Sequence, residues 1–185
     1  MHTTREAWLL AAIAELRPMF TAASLKVPER LKVSCGFPGC GNRKKRIGEC
    51  WAEAKQVFIS PMLDNESRVL DVLCHELIHS CLPAGEKHGQ RFKAGMKAIG
   101  LEGKAGATVA GPELLKALKP IVKKLGPYPH KALDLGARPE KKQTTRLLKV
   151  ECPSCGYIAR VTRTVIDEKG CPICPVDQVP FEEVT

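Results

Sequence analysis

The feature that most restricts the fold of this chain is the pair His75 and His79, separated by Glu76 and two apolar residues. Residues four apart lie on one face of a helix, so both imidazoles can reach a single ion if this segment is helical. Asn65 precedes the segment and Pro83 follows it, which predicts a helix from about residue 66 to 81. The apolar residues on both sides of the pair predict that this helix is buried.

The arrangement His-Glu-x-x-His is typical of zinc hydrolases, in which both histidines bind the ion and the glutamate is the general base. Here that predicts His75 and His79 as ligands and Glu76 as the catalytic carboxylate. A catalytic zinc takes a third protein ligand and keeps one position open. His88, which follows a predicted turn, is the leading candidate, and Glu102 is its rival.

Paired cysteines near the end of the chain indicate a second metal site. Cys152 and Cys155 are separated by two residues, as are Cys171 and Cys174, and fifteen residues lie between the pairs. Four thiolates with this spacing can close a tetrahedral zinc site that leaves no position for water. The pattern therefore predicts a zinc ribbon whose ion is structural.

The other five of the nine cysteines are less informative. Cys74 and Cys81 are expected to pack as small core residues. Cys35, Cys40 and Cys50 lie in a Gly-rich insert, where they are three free thiols or part of a third metal site. The start of the chain lacks the pattern of a secretory signal, so we expect a cytoplasmic protein with metal-bound rather than disulfide-bonded cysteines.

Positive charge is concentrated in one region. The formal net charge is +9, and the stretch from Glu113 to Arg163 contributes a net +8. Such a concentration favours a polyanionic partner, usually nucleic acid, although a solvated basic surface is the alternative. The side chains predicted to contact nucleic acid are Lys141, Lys142, Arg146, Lys149, Tyr157, Arg160 and Arg163.

The pattern of apolar residues and breakers predicts an α+β protein with three parts: residues 1–110, a basic helical segment and linker at 111–146, and the four-cysteine module at 147–185. The first helix is expected to stop at Pro18, and Pro120 to interrupt a later one. Short strands are predicted at 31–34 and 56–59. Trp8 and Trp51 are both expected in the core.

Several of these segments together resemble the SprT-like family, which includes Spartan, a DNA-dependent protease that acts on DNA–protein crosslinks. The resemblance rests on the His75 to His79 motif, the run His88-Gly89-Gln-Arg-Phe92, the later Gly100 and the stretch from Val57 to Leu63. It implies a zincin-like domain with a small antiparallel strand pair or sheet packed on helices, followed by a zinc ribbon.

For function, the resemblance implies a zinc metalloendopeptidase that cleaves proteins bound or crosslinked to DNA. The expected cofactors are one catalytic and one structural Zn²⁺. We expect a monomer that contacts single-stranded or damaged DNA, is DNA-associated in the cytoplasm, and does not contact a membrane. The short length suggests a bacterial or bacteriophage member.

Two other functions fit the same residues. One is a non-catalytic, zinc-containing nucleic-acid-binding or scaffold protein, and the other is a zinc hydrolase that acts on a non-peptide amide. The presence of Glu76 argues against the scaffold, because a purely structural site has no use for that carboxylate.

Overall fold

The structure is a computed structural model that describes residues 2–39, 46–134 and 147–184. It divides into two compact units, Met1–Leu135 and Gly136–Thr185. Helices and small sheets occur in both, so the predicted α+β class is confirmed. Within the described ranges no helix is both long and apolar enough to cross a bilayer.

Within its described residues, the first unit contains four helices. They are α1 (Arg5–Ala22), α2 (Glu66–Cys81), α3 (Gln90–Ile99) and α4 (Pro112–Leu125). The side chain of Thr4 accepts a hydrogen bond from the Ala7 N–H and caps α1, and Asn65 caps α2 in the same way. Gly100 ends α3 with φ of 89°, a left-handed conformation that favours glycine.

Two predicted helix breaks are wrong. α1 continues through Pro18 to Ala22, and α4 continues through Pro120 to Leu125. A proline inside a helix removes one hydrogen bond and crowds the preceding turn. In α1, Phe20 lies beyond Pro18 and is fully buried, and in α4 Leu125 is buried beyond Pro120. Burial of these side chains therefore offsets the local penalty.

Three short strands form a mixed sheet in the order β1-β3-β2. They are β1 (Lys32–Cys35), β2 (Gly48–Trp51) and β3 (Gln56–Ile59). β2 runs antiparallel to β3, but β1 runs parallel to it, so the predicted antiparallel arrangement holds for one of the two strand pairs in this sheet. β2 begins within the Gly-rich insert that carries Cys35, Cys40 and Cys50, and this strand forms one edge of the sheet. A hairpin of β4 (Leu101–Lys104) and β5 (Ala107–Ala110) follows α3.

The core of the first unit is built on α2. Leu70, Leu73 and Leu77 of this helix are fully buried together with Trp8 of α1. Trp51 was expected in this core, but 56% of its surface is exposed. The reason is positional, because alternate residues of an edge strand face solvent.

The segment after β5 also belongs to the first unit. Leu114 and Leu118 of α4 are buried in its core. The indole N–H of Trp8 donates to the Gly126 carbonyl over 3.0 Å, and Arg5 donates to the Pro129 carbonyl over 3.0 Å. The described part of the predicted basic segment is thus packed onto α1. The remainder, residues 135–146, lies outside the described residues.

Over residues 147–184 the second unit is a small antiparallel sheet in the order β7-β6-β8 with one short helix. Its elements are β6 (Leu148–Glu151), β7 (Ile158–Val161), α5 (Arg163–Lys169) and β8 (Glu182–Glu183). Its buried cluster consists of Val150, Cys152, Cys174 and Phe181. The sequence did not predict α5, which is a single exposed helix of seven residues.

Candidate active site

Helix α2 positions the two motif histidines as the sequence predicted. It spans Glu66–Cys81, and its buried face includes Leu73, Leu77 and Ile78. Packing of that face against the core fixes the rotation of the helix about its axis. His75 and His79 then lie one turn apart on the side that borders an open cleft.

The loop after α2 carries His88 back over this helix. Gly85 and Lys87 have positive φ values of 94° and 48°, which turn the chain sharply. The Glu86 carboxylate accepts a hydrogen bond of 3.1 Å from the Arg91 N–H at the start of α3. The loop is therefore anchored to α3 on one side and to α2 on the other, with His88 between them.

The three imidazoles converge through their Nε2 atoms. The His79 and His88 Nε2 atoms are 3.3 Å apart, and those of His88 and His75 are 3.4 Å apart. Nitrogen ligands about 2.0–2.1 Å from a tetrahedral zinc would be separated by about 3.3 Å. The described residues thus contain a group of three histidines with the spacing that one ion requires. Glu102, the rival ligand, lies on β4 and is not part of this group.

Two further residues support the histidine rings. Phe92 is fully buried, and its ring stacks on that of His79 at a centroid distance of 4.3 Å. The Thr108 hydroxyl lies 2.8 Å from His75 Nδ1. A ring that offers its Nε2 lone pair to an ion carries the proton on Nδ1, so Nδ1–H then donates to Thr108 and orients the ring.

Thr108 was missed by the sequence analysis. It lies in β5, and Arg68 of α2 holds its carbonyl by a hydrogen bond of 3.2 Å. Arg68 is itself paired with Asp71 over 2.7 Å. No motif surrounds Thr108 in the sequence, and only the packing of the hairpin against α2 brings it to His75.

The electrostatics of the histidine group favour neutral rings. Burial lowers the pKa of His75 to about 3, and the neighbouring His79 and His88 add to that effect. Burial and then His88 lower the pKa of His79 to about 4. The pKa of His88 is also lowered, by burial. Neutral imidazoles are the form that binds a metal ion, so the site is ready for one at neutral pH.

Glu76 is buried beside this group, under strand β2. Burial raises its pKa to about 8, the nearby Glu49 raises it further, and Arg46 opposes the shift. A Cβ atom on Gly48 would overlap the Glu76 carboxylate and lie 2.8 Å from Val72 Cγ1. Only glycine at this position lets the strand pass so close to the carboxylate.

The histidine group opens into a cleft of about 960 Å³. One wall is β2 with the residues before and after it, and the other is the loop that carries His88. Trp51 lies at this wall with more than half of its surface exposed. A volume of this size is enough to bind a ligand beside the histidine group.

A second group of potential ligands lies in the other unit. The structure brings together Cys152, Cys155 and Cys174 of the predicted set, and the fourth member of the group is Asp177. Cys171, which the sequence predicted as a ligand, is not among the four. This group and the three histidines are the two clusters in the described residues that could hold a metal ion.

The residues predicted to bind nucleic acid differ in their surroundings. Tyr157 and Arg160 are exposed, whereas the Lys149 ammonium is 2.7 Å from the Glu151 carboxylate. Arg163 forms a bidentate pair with Glu183 at 2.6 and 2.7 Å. Lys141, Lys142 and Arg146 lie outside the described residues. The structure therefore leaves Tyr157 and Arg160 as the more accessible of the described set.

Cys35 and Cys50, the two insert cysteines that the structure describes, lie in different surroundings. Cys35 Sγ accepts a hydrogen bond of 3.4 Å from Arg5, and burial raises the pKa of Cys50 to about 12. Within the described ranges neither belongs to a group of potential metal ligands. Cys40 lies outside those ranges, so a third metal site remains a prediction.

Comparison with known proteins gives one match. The model of the SprT-like family matches residues 16–110, which include both motif histidines, His88 and Thr108. No curated protein and no solved structure matches the chain. The matched region covers half of the chain and contains the whole histidine group. The chain therefore belongs to the SprT-like family, and its first unit contains a domain of metallopeptidase type.

Proposed function

We propose that the first unit is a zinc-dependent endopeptidase with a zincin-like fold, in which His75, His79 and His88 hold the ion. The observation that carries the proposal is the separation of 3.3 and 3.4 Å between their Nε2 atoms. These distances fit three corners of a tetrahedral zinc site and leave the fourth corner for water or substrate.

Zinc held there would polarise a scissile carbonyl and make water acidic enough to attack it at neutral pH. The protein must then accept and return a proton beside the ion. Glu76 follows His75 directly and lines the same cleft, and its pKa of about 8 lies close to neutral pH. Glu76 takes the proton from the attacking water and gives it to the departing amine. Thr108 keeps the His75 ring oriented throughout.

The edge strand β2 supports a polypeptide as the substrate. It belongs to a sheet in which β3 pairs with it on one side, and its residues line the cleft on the other. An edge strand offers unpaired backbone groups to an extended peptide. Such a peptide would run past the histidine group with Trp51 available for its side chains.

Replacement of Glu76 by glutamine tests the chemistry. The change keeps the size of the side chain but removes the base, so the rate of peptide hydrolysis should fall by about 10²-fold to 10⁴-fold. Glu53→Gln is the matched control, because Glu53 lines the same cleft but is exposed. Equal rates for wild type and Glu76→Gln would overturn the peptidase proposal and favour a non-catalytic zinc-containing scaffold.

We further propose that the second unit is a zinc ribbon that recruits the enzyme to DNA. Its substrates would then be proteins bound or crosslinked to DNA. The support is the basic stretch from Glu113 to Arg163, which runs into this unit with a net charge of +8, and the exposure of Arg160 and Tyr157. The Arg160 guanidinium in β7 can contact a phosphate, and the ring of Tyr157, which precedes that strand, can stack on an unpaired base.

The recruitment proposal is tested with a protein crosslinked to single-stranded DNA and with the same protein free. Wild type should cleave the crosslinked form faster, and the difference should shrink as salt rises, since phosphate contacts release counterions. Arg160→Ala with Tyr157→Ala should reduce the difference, while Lys169→Ala in the same unit should not. Equal cleavage of the free and the crosslinked protein would contradict the recruitment proposal but not the peptidase proposal.

A further inference from the structure

The first cysteine turn of the second unit has a defined backbone pattern. Cys152 is followed by a proline, and Cys155 is the fourth residue of the turn. The N–H of Gly156 donates to the Cys152 carbonyl over 3.0 Å, and the Cys152 N–H donates to the Tyr157 carbonyl over 2.9 Å. Gly156, the fifth residue, has φ of +71°. These features hold the first and fourth side chains on the same side of the turn.

The same pattern recurs in the turn that begins at Cys174. The N–H of Gln178 donates to the Cys174 carbonyl over 2.9 Å, and the Cys174 N–H donates to the Val179 carbonyl over 2.8 Å. Gln178 is the fifth residue and has φ of +56°, although it is not glycine. Each hydrogen bond and the left-handed residue have their counterparts in the first turn. Asp177 therefore occupies the position that Cys155 has there.

The run Cys171-Pro172-Ile173-Cys174 cannot form this turn. Its fifth residue is Pro175, which has no N–H to donate to the Cys171 carbonyl. The proline ring also holds φ near about −65°, so the left-handed conformation is excluded. The sequence offers two overlapping candidates for the second turn, one that starts at Cys171 and one that starts at Cys174. Pro175 excludes the first of them.

The side chains that the two turns present meet at one point. Asp177 Oδ2 lies 3.3 Å from Cys152 Sγ and 3.6 Å from Cys174 Sγ. Cys155 Sγ lies 3.6 Å from Cys174 Sγ. Sulfur at about 2.3 Å and oxygen at about 2.0–2.2 Å from a tetrahedral zinc would be separated by roughly 3.5 to 3.8 Å. The four atoms thus fit one ion with modest adjustment.

The second unit has a small buried cluster that a bound ion would stabilise. Cys152 and Cys174 are themselves two of the four residues in its buried cluster, beside Val150 and Phe181. A domain of this size buries too little apolar surface to fold without a metal or disulfides. A bound ion would hold together the two turns that carry this cluster.

We propose that Cys152, Cys155, Cys174 and Asp177 form a three-thiolate, one-carboxylate zinc site, and that Cys171 is a free thiol outside it. This inference does not depend on the peptidase activity of the first unit. Three thiolates and one carboxylate carry the same charge as four thiolates. One hard oxygen ligand makes the site less selective for soft ions than a four-sulfur site.

Cobalt substitution in the full chain tests the ligand set. Thiolate ligands give Co²⁺ an intense near-ultraviolet charge-transfer band, and the histidine group has no thiolate to contribute one. Cys171→Ser should keep the full band, whereas Cys155→Ser should lose about a third of it or the ion itself. Asp177→Ala should weaken cobalt binding by at least about tenfold, and Asp177→Cys should strengthen the band.

Three results would overturn the proposal: loss of the band in Cys171→Ser, unchanged cobalt affinity in Asp177→Ala, or no thiolate band in the wild type.

Alkylation of the wild-type zinc protein, followed by peptide mapping, gives a second test that needs no variant. Chelation should speed alkylation of Cys152, Cys155 and Cys174 by at least about tenfold, because it frees their thiolates. Cys171 is only partly buried against the small buried cluster of this unit, so chelation should speed its alkylation much less than that of the three ligands, and equal protection of all four thiols by zinc would contradict the assignment.

Discussion

The two units of this protein place their candidate metal ligands in opposite relation to their cores. In the first unit the histidine group borders a cleft, and a separate core that includes Trp8, Phe20 and Leu70 lies behind it. In the second unit Cys152 and Cys174 belong to the small buried cluster. An ion in the first unit is therefore an addition to a fold that can exist without it, whereas an ion in the second unit is part of the fold.

This difference shows why the two groups use different side chains. Neutral imidazoles at the edge of a cleft bind zinc and leave a position open, which suits chemistry. Thiolates bind zinc strongly and close its coordination shell, which suits a unit with almost no core. Both tryptophans of the sequence, Trp8 and Trp51, lie in the first unit, so their fluorescence reports on that unit alone.

The largest expected effect is that of metal removal. Chelation should unfold the second unit, since zinc supplies about 10 kcal/mol or more to small structural sites. Amide protection in peptides from 147–184 should disappear, while peptides from α2 and the tryptophan fluorescence should stay native. Equal loss of amide protection in both units, measured by hydrogen exchange, would contradict the proposal that only the second unit depends on its ion to fold.

The next effect is that of His88→Ala on catalysis. Loss of one of three ligands should lower the rate of peptide hydrolysis by about a thousandfold, because several kcal/mol of transition-state stabilisation depends on the ion. His88 is exposed, so in the metal-free protein the free energy of unfolding of the first unit should change by only about 0.5 kcal/mol. Lys87→Ala is the control in the same loop. A large loss of stability in urea would show that the first site is structural as well.

A smaller effect concerns the buried carboxyl group of Glu76 in the metal-free first unit. Its pKa is about 8 in the fold against 4.5 for an unperturbed glutamate, so the unfolded chain releases its proton at lower pH. Wild type should therefore lose stability relative to Glu76→Gln as pH rises from 4.5 to 8. The expected difference at high pH is about 2 to 4 kcal/mol. Urea unfolding at both pH values, followed by tryptophan fluorescence, measures this difference in the free energy of unfolding. Glu53→Gln is the control, and its stability should follow that of wild type at both pH values.

The smallest effect is that of Thr108→Val. Valine keeps the shape of the side chain but removes the hydroxyl that orients His75, and such supporting contacts are worth about tenfold to a hundredfold in metal affinity. Competition with a zinc chelator should show this loss for the first site and none for the second. An unchanged affinity would mean that helix packing alone orients the ring.

Local features of the fold were predictable because their causes are local. Helix α2 follows from the apolar spacing around His75 and from its cap at Asn65, and β3 follows from a short β-branched and aromatic run. The predicted stops at Pro18 and Pro120 failed because burial elsewhere in each helix outweighs one lost hydrogen bond. Strand β2 was missed because its pairing partner, β3, is what makes Gly48–Trp51 a strand.

The features of the candidate sites also divide into those that local sequence predicts and those that depend on tertiary packing. Spacing alone determined that His75, Glu76 and His79 share a helix and that Cys152 and Cys155 can share one turn, since backbone periodicity acts over a few residues. Only the tertiary structure decided that His88 returns to those rings, that Thr108 supports His75, and that Asp177 meets the thiolates in the place predicted for Cys171. These contacts depend on how separate elements pack, and packing is a property of the whole chain rather than of any short segment of it.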